Sequence, residues 1–277
     1  MSKRSLAIPC GTFLAFCFLV PAFAQVTPDS SQPPVTSSAA VAPTSGTVQQ
    51  PATLSSEEMA RLYLVRKQYR EAEDLFHQLT IQHPKNALYW NELGITLHSQ
   101  SELAPALKCY QKSSKLDSRY ADAFNNIGTI YYEQKKYAKA IRVYRKAIAI
   151  RADFSAFYLN LGYAYFGQKQ YEESIGAFRK AVQLDPQAFE LNRSRAGTVI
   201  QDRSLNTDRG RFYFLLAKSF AEAGDLDRCI LYLKKAHDEG YKDMNSMKTD
   251  PSFAAVLKNP DVQEILAPKT VEASQQP

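Results

Sequence analysis

Between residues 53 and 188, apolar and small residues return at fixed places in a 34-residue frame. The stretches NIGTIYYEQKKYAKAIRVYRKA (126–147) and NLGYAYFGQKQYEESIGAFRKA (160–181) agree at ten of 22 aligned positions. Frames opening at Thr53, Ala87, Ala121 and Ser155 all fit one template. Position 7 holds Met59, Leu93, Ile127 and Leu161, and position 8 holds Ala60, Gly94, Gly128 and Gly162. Position 11 is Tyr63, Leu97, Tyr131 and Tyr165; position 17 is Tyr69, Leu103, Tyr137 and Tyr171. Position 20 is small (Ala72, Ala106, Ala140, Ser174), and position 24 is aromatic (Phe76, Tyr110, Tyr144, Phe178). Positions 4, 7, 8 and 11 share one helix face, and 17, 20, 24 and 27 share another, so each frame predicts two packed helices. Small residues at 8 and 20 let the pair approach, and the large ones fill the space beside them. Pro84 and Pro186, at position 32, end the second helix, whereas Ser118 and Ala152 leave two turns to other residues.

The pattern weakens toward the C-terminus. From Gly210, the series Tyr213, Leu216, Ala217, Phe220, Leu226, Cys229, Leu233 and Ala236 follows the template again, giving a divergent fifth copy over 210–243. Residues 189–209, FELNRSRAGTVIQDRSLNTDR, fit no frame. Asp250-Pro251 and Asn259-Pro260 each read as an N-cap before Pro at the first helical position. They predict two short capping helices within 244–267, with Phe253, Val256, Leu257, Val262, Ile265 and Leu266 facing inward. At the other end, Ser55 to Glu58 form a capping box, with Leu54 and Met59 as its staple.

Composition adds the flanks. Lys3 and Arg4 precede an apolar run ending in Ala22-Phe23-Ala24, so residues 1–24 predict a secretory signal peptide cleaved before Gln25, with an uncleaved anchor as the competing reading. Residues 25–52 hold five prolines, one charge and no aromatic, the composition of a disordered tether spanning about 30 Å. Residues 268–277 read the same way. These features predict an exported protein, periplasmic or secreted, with no stable membrane insertion after cleavage. Without the signal, 32 Lys and Arg oppose 28 Asp and Glu, a net +4; the cations are interspersed with acids, which argues against a nucleic-acid partner. Cys109 and Cys229 fall three repeats apart, too far for a disulfide, and are expected to be packing residues.

Nothing in the chain asks for catalysis. His77, His83, His98 and His237 are scattered without metal-ligand spacing and read as solvated surface residues. No nucleophile elbow and no phosphate-cradling loop occurs. No enzyme activity, cofactor or metal is therefore expected.

The 34-residue frame resembles the tetratricopeptide repeat, a helix-turn-helix family, with four copies at 53–86, 87–120, 121–154 and 155–188. The resemblance implies an all-α fold, a right-handed α-solenoid of stacked helix pairs with a C-terminal helical cap. It also implies a concave groove lined by positions 2, 5, 6, 9, 12 and 13 of each first helix. Lys and Arg are missing from positions 2, 5 and 6 of repeats two to four, so the carboxylate clamp of some members is not expected. Asn91 and Asn125 share position 5, and Asn126 and Asn160 share position 6. Such a row could hold the backbone of an extended peptide, with Tyr132, Tyr163 and Phe166 contacting its side chains, or could complete local hydrogen bonds. Arg193, Arg195, Arg203 and Arg209 make the 189–209 insert either a partner-binding arm or a spacer. Two functions follow: an exported adaptor binding protein or peptide segments in its groove, or a structural component of a cell-envelope assembly using convex or edge surfaces.

Overall fold

The computed structural model describes residues 54–189 and 208–267. The signal, the tether, most of the insert and the tail lie outside the described residues. Eleven α-helices and no strand occur among the described residues. The first eight are α1 (Ser56–Val65), α2 (Tyr69–Gln82), α3 (Ala87–Ser99), α4 (Leu103–Leu116), α5 (Ala121–Glu133), α6 (Tyr137–Ile150), α7 (Ser155–Gly167) and α8 (Tyr171–Leu184). Then come α9 (Arg209–Ala223), α10 (Leu226–Asp238) and α11 (Pro260–Leu266). The helices pair as α1–α2, α3–α4, α5–α6, α7–α8 and α9–α10, and each second helix packs on the next first helix. First helices also touch across repeats, α3 with α5 and α5 with α7, and the second helices make no comparable contact. The stack therefore curves with its first helices inside and its second helices outside.

One contact sets the spacing within a pair. The rings of Tyr110, Tyr144 and Phe178 are fully buried and lie directly against Gly94, Gly128 and Gly162. A Cβ on Gly128 would stand 2.5 Å from Tyr144 Cε1. Repeat one places Ala60 and Phe76 at the same two positions, and the fifth pair places Ala217 and Leu233 there, all buried. The contact thus persists in the divergent copy with other side chains.

The turn within each pair repeats as faithfully. At position 15, Lys67, Ser101, Lys135 and Lys169 adopt positive φ, between 56° and 67°, and Gly224 does so at 85° in the fifth pair. The next N–H donates back to the position-11 carbonyl in each case, from Gln68 to Tyr63 (2.9 Å) through Asp225 to Phe220 (2.9 Å). This is a Schellman closure. It costs about 1–2 kcal/mol wherever the residue carries a side chain.

Between pairs, Asp117 and Asp185 accept from the N–H groups of Arg119 (2.8 Å) and Gln187 (2.9 Å), so the turn at Ser118 closes without a proline. Ser55 and Glu58 form the reciprocal cap at the start of α1. Asp250 and Asn259 cap two short elements, the first a 3-10 turn over Pro251–Phe253 and the second α11. Phe253, Val256 and Val262 from this region close the core of the fifth pair, while Leu257, Ile265 and Leu266 pack at its margin. Cys109 and Cys229 are buried and unbridged, and burial pushes their thiols up to about 11 and about 12.

The ring-on-glycine contact is checked by Gly128→Ala. The added methyl should cost about 1–3 kcal/mol, because the buried Tyr144 ring must move. Adding Tyr144→Leu, the combination seen at Ala217 and Leu233, should cost less than the two single changes summed. Chemical denaturation measures all three, and an unchanged midpoint in Gly128→Ala would refute the contact's role.

Candidate functional site

Asn91, Asn125, Asn126 and Asn160 are all buried. Asn160 Nδ2 donates to Asn125 Oδ1 at 2.8 Å, and Asn126 Nδ2 donates to Asn91 Oδ1 at 3.0 Å. Asn125 Nδ2 reaches Asn126 Oδ1 at 3.4 Å, joining the two pairs into one chain of amides across three repeats. The asparagines therefore bond one another beneath the inner surface instead of presenting a row to a ligand. The reason is geometric: position 5 of one first helix meets position 6 of the next, 35 residues on.

The same pair of positions recurs at both ends with other chemistry. Between repeats one and two it holds Glu57 and Glu92, and Arg61 stands by both, 2.9 Å from the first and 3.9 Å from the second. Tyr89 adds a donated bond to Glu57 at 2.8 Å, which raises its own hydroxyl above the usual phenol range. Between repeats four and five the positions hold Leu159 and Leu215, members of one buried cluster. Glu57 and Arg61 were absent from the sequence-based site, although the 35-residue offset that joins the asparagines also joins Glu57 to Glu92.

The aromatic residues divide. Tyr132 and Phe166 are buried, Tyr132 against Tyr137 and Phe166 against Tyr171 and Phe212. Tyr163 is half-buried, stacked on Phe212 at 5.6 Å, and keeps an outward edge. His98, expected to be solvated, is largely covered and bridges repeats: Nε2 lies 2.9 Å from Glu133, and Nδ1 lies 3.4 Å from the Tyr110 hydroxyl. Asp122 accepts from Arg151 at 2.7 Å. The inner face thus keeps Ile95 and Tyr163 half-exposed among Glu92, Asp122 and Glu133.

Of the four insert arginines, only Arg209 is described. It is exposed at the start of α9, bonded to the Tyr213 hydroxyl at 3.2 Å and 3.3 Å from Glu239. Arg193, Arg195 and Arg203 lie outside the described residues. Among the described residues, no three His, Cys, Asp or Glu side chains group as a metal site, and no helix is long and apolar enough to cross a membrane.

A stack of paired helices with an accessible inner face defines a class of repeat scaffold, and the comparisons agree. Family models described as TPR repeat or tetratricopeptide repeat match residues 58–113, 95–135, 128–169 and 155–188. Tetratricopeptide repeats are therefore present in this chain. No curated protein matches the sequence. Among solved structures, MamA from Desulfovibrio magneticus RS-1 is 21% identical, covers 68% of this chain and 95% of its own, and has a TM-score of 0.47. YrrB, described as a TPR protein with an unusual peptide-binding site, is 18% identical, with coverages of 69% and 88% and a TM-score of 0.44. The first TPR of Spaghetti (RPAP3), bound to an HSP90 peptide, is 26% identical, with coverages of 36% and 80% and a TM-score of 0.36.

The amide chain makes a test of its own. Asn126→Leu deprives the buried Asn91 and Asn125 amides of their bonds to it and should cost about 1–3 kcal/mol for each group left short. Asn91→Leu with Asn126→Leu copies the Leu159–Leu215 pairing and should recover about 0.5–3 kcal/mol relative to the summed single changes. Urea unfolding of the four proteins checks this; additive costs would show that the pair is not coupled.

Proposed function

We propose that this protein is an interaction scaffold that holds a segment of a partner protein along the inner face of its stack, and that it works after export. The observation that carries the reading is the inner face itself. A buried polar chain holds the first helices in register, and half-exposed Ile95 and Tyr163 stand above it among carboxylates. The apolar groups offer desolvation, and Glu92, Asp122 and Glu133 favour a segment that brings Lys or Arg. Cations at positions 2, 5 and 6 of repeats two to four are missing, so a free C-terminal carboxylate is the wrong ligand for this face. Export rests on the basic start, apolar run and Ala22-Phe23-Ala24 of residues 1–24. A role in a cell-envelope assembly is the second reading, favoured by the unpaired cations on the outer helices α4 and α6.

A photo-crosslinking residue at Ile95 or Glu133 should trap the partner in cells, and one at exposed Gln78 on α2, away from both the inner face and the α4 and α6 cations, should not. Adducts from Gln78 alone would overturn the groove reading and favour the second. Protein recovered from outside the cytoplasm should begin at Gln25. An intact Met1 in protein that stays in the cytoplasm would refute export.

A further inference from the structure

We propose that the outer face of α4 and α6 is a second docking surface, one that takes an acidic protein segment carrying apolar side chains. Helix α4 carries Lys108, Lys112 and Lys115, helix α6 carries Lys139, Arg142, Arg145 and Lys146, and neither contains an Asp or Glu. All seven residues are exposed. None forms an ion pair among the described residues, whereas Arg61, Arg151, Arg179, Arg211 and Lys218 all do. Other cations, Arg66, Lys67, Arg119 and Lys180 among them, also lack an ion pair among the described residues; what marks this face is that seven exposed cations share two helices with no acid on either.

Three of the seven cations rest near aromatic rings. Lys139 lies 5.8 Å from the centre of the Tyr131 ring, Lys146 lies 6.0 Å from that of Phe124, and Arg145 bonds the Tyr165 hydroxyl through Nε at 2.9 Å. Resting on aromatic faces leaves their charge uncancelled while limiting the entropy lost on binding.

The floor of this surface selects among anions. A shallow, open trough of about 510 Å³ lies on α6, lined by the exposed methyls of Ala138 and Ala149 and by largely buried Ile141, together with Arg142, Arg145 and Lys146. A phosphate backbone or a lipid headgroup layer would satisfy the rim and leave the apolar floor in water. A segment alternating carboxylates with apolar side chains satisfies both. Because the second helices do not close on one another across repeats, the trough stays open to such a partner.

The test uses the full chain and a fluorescent 14-residue peptide of alternating Glu and Leu, titrated by anisotropy. Wild type should bind it, at least five-fold more tightly than an all-Glu peptide of the same charge. Arg142→Glu with Lys146→Glu should weaken binding at least ten-fold, the milder Arg142→Gln with Lys146→Gln at least three-fold, and Glu133→Lys on the inner face not at all. Circular dichroism confirms that each variant keeps its helicity. Unchanged affinity in both outer-face variants would overturn the proposal, as would an all-Glu peptide, phosphatidylglycerol vesicles or duplex DNA binding as tightly as the Glu–Leu peptide at the same salt. Tighter binding in Glu133→Lys with no loss in the outer-face variants would move the peptide to the inner face and overturn the outer site.

Discussion

An aromatic ring pressed against a bare stretch of helix backbone is the contact on which the rest depends. Tyr110, Tyr144 and Phe178 reach glycine backbones across their helix pairs, and no side chain intervenes. The helices can therefore lie close, and the ring is sealed from water on both faces. An isolated pair would leave its other apolar faces bare, so each must be covered by the next pair. Spacing within a pair thus dictates where position 5 of one repeat meets position 6 of the following one.

That junction is solved three ways along a single stack. At the N-terminal end two carboxylates share Arg61; in the middle three hydrogen bonds link four amides; at the C-terminal end two leucines pack. A half-converted junction would leave a buried polar atom facing a methyl group, which costs more than either complete solution. The change to leucine falls where residues 189–209 depart from the frame. There Phe189 packs against Phe178 and Phe220, so α8, α9 and α10 are joined through aromatic surface. At positions 5 and 6 the junction next to the insert is thus apolar, and its polar bridges, Arg211 to the Tyr171 hydroxyl and Arg179 to Glu222, lie elsewhere.

Much of this was legible in the sequence. The 34-residue frame placed the helix pairs, the capping box at Ser55 and both Pro-containing caps, because each depends on neighbours in the chain. Three things were not legible. The lysines at position 15 adopt a conformation usually given to glycine, so residue type carried no turn signal there. The asparagines were singled out for their chemistry, but whether an amide at position 6 meets a ligand or the preceding helix depends on how far the repeats rotate against each other. His98 looked like a surface residue because Tyr110 and Glu133, the groups that cover it, lie 12 and 35 residues away.

The charge distribution shows the same limit most plainly. Counted along the chain, acids and bases alternate and suggest no field at all. Sorted by helix, Glu92, Asp122 and Glu133 stand on first helices, while α4 and α6 carry only cations. A first helix is followed by a second about every 17 residues, so a window longer than one helix averages the two signs away. Stacking undoes the averaging, because it gathers first helices on one side and second helices on the other. In repeats two and three opposite signs then lie on opposite faces of a layer two helices thick, more than a Debye length apart in physiological salt, whereas α2 and α8 carry acids of their own. The inner and outer surfaces proposed as docking sites therefore differ in sign, and a partner suited to one is not suited to the other.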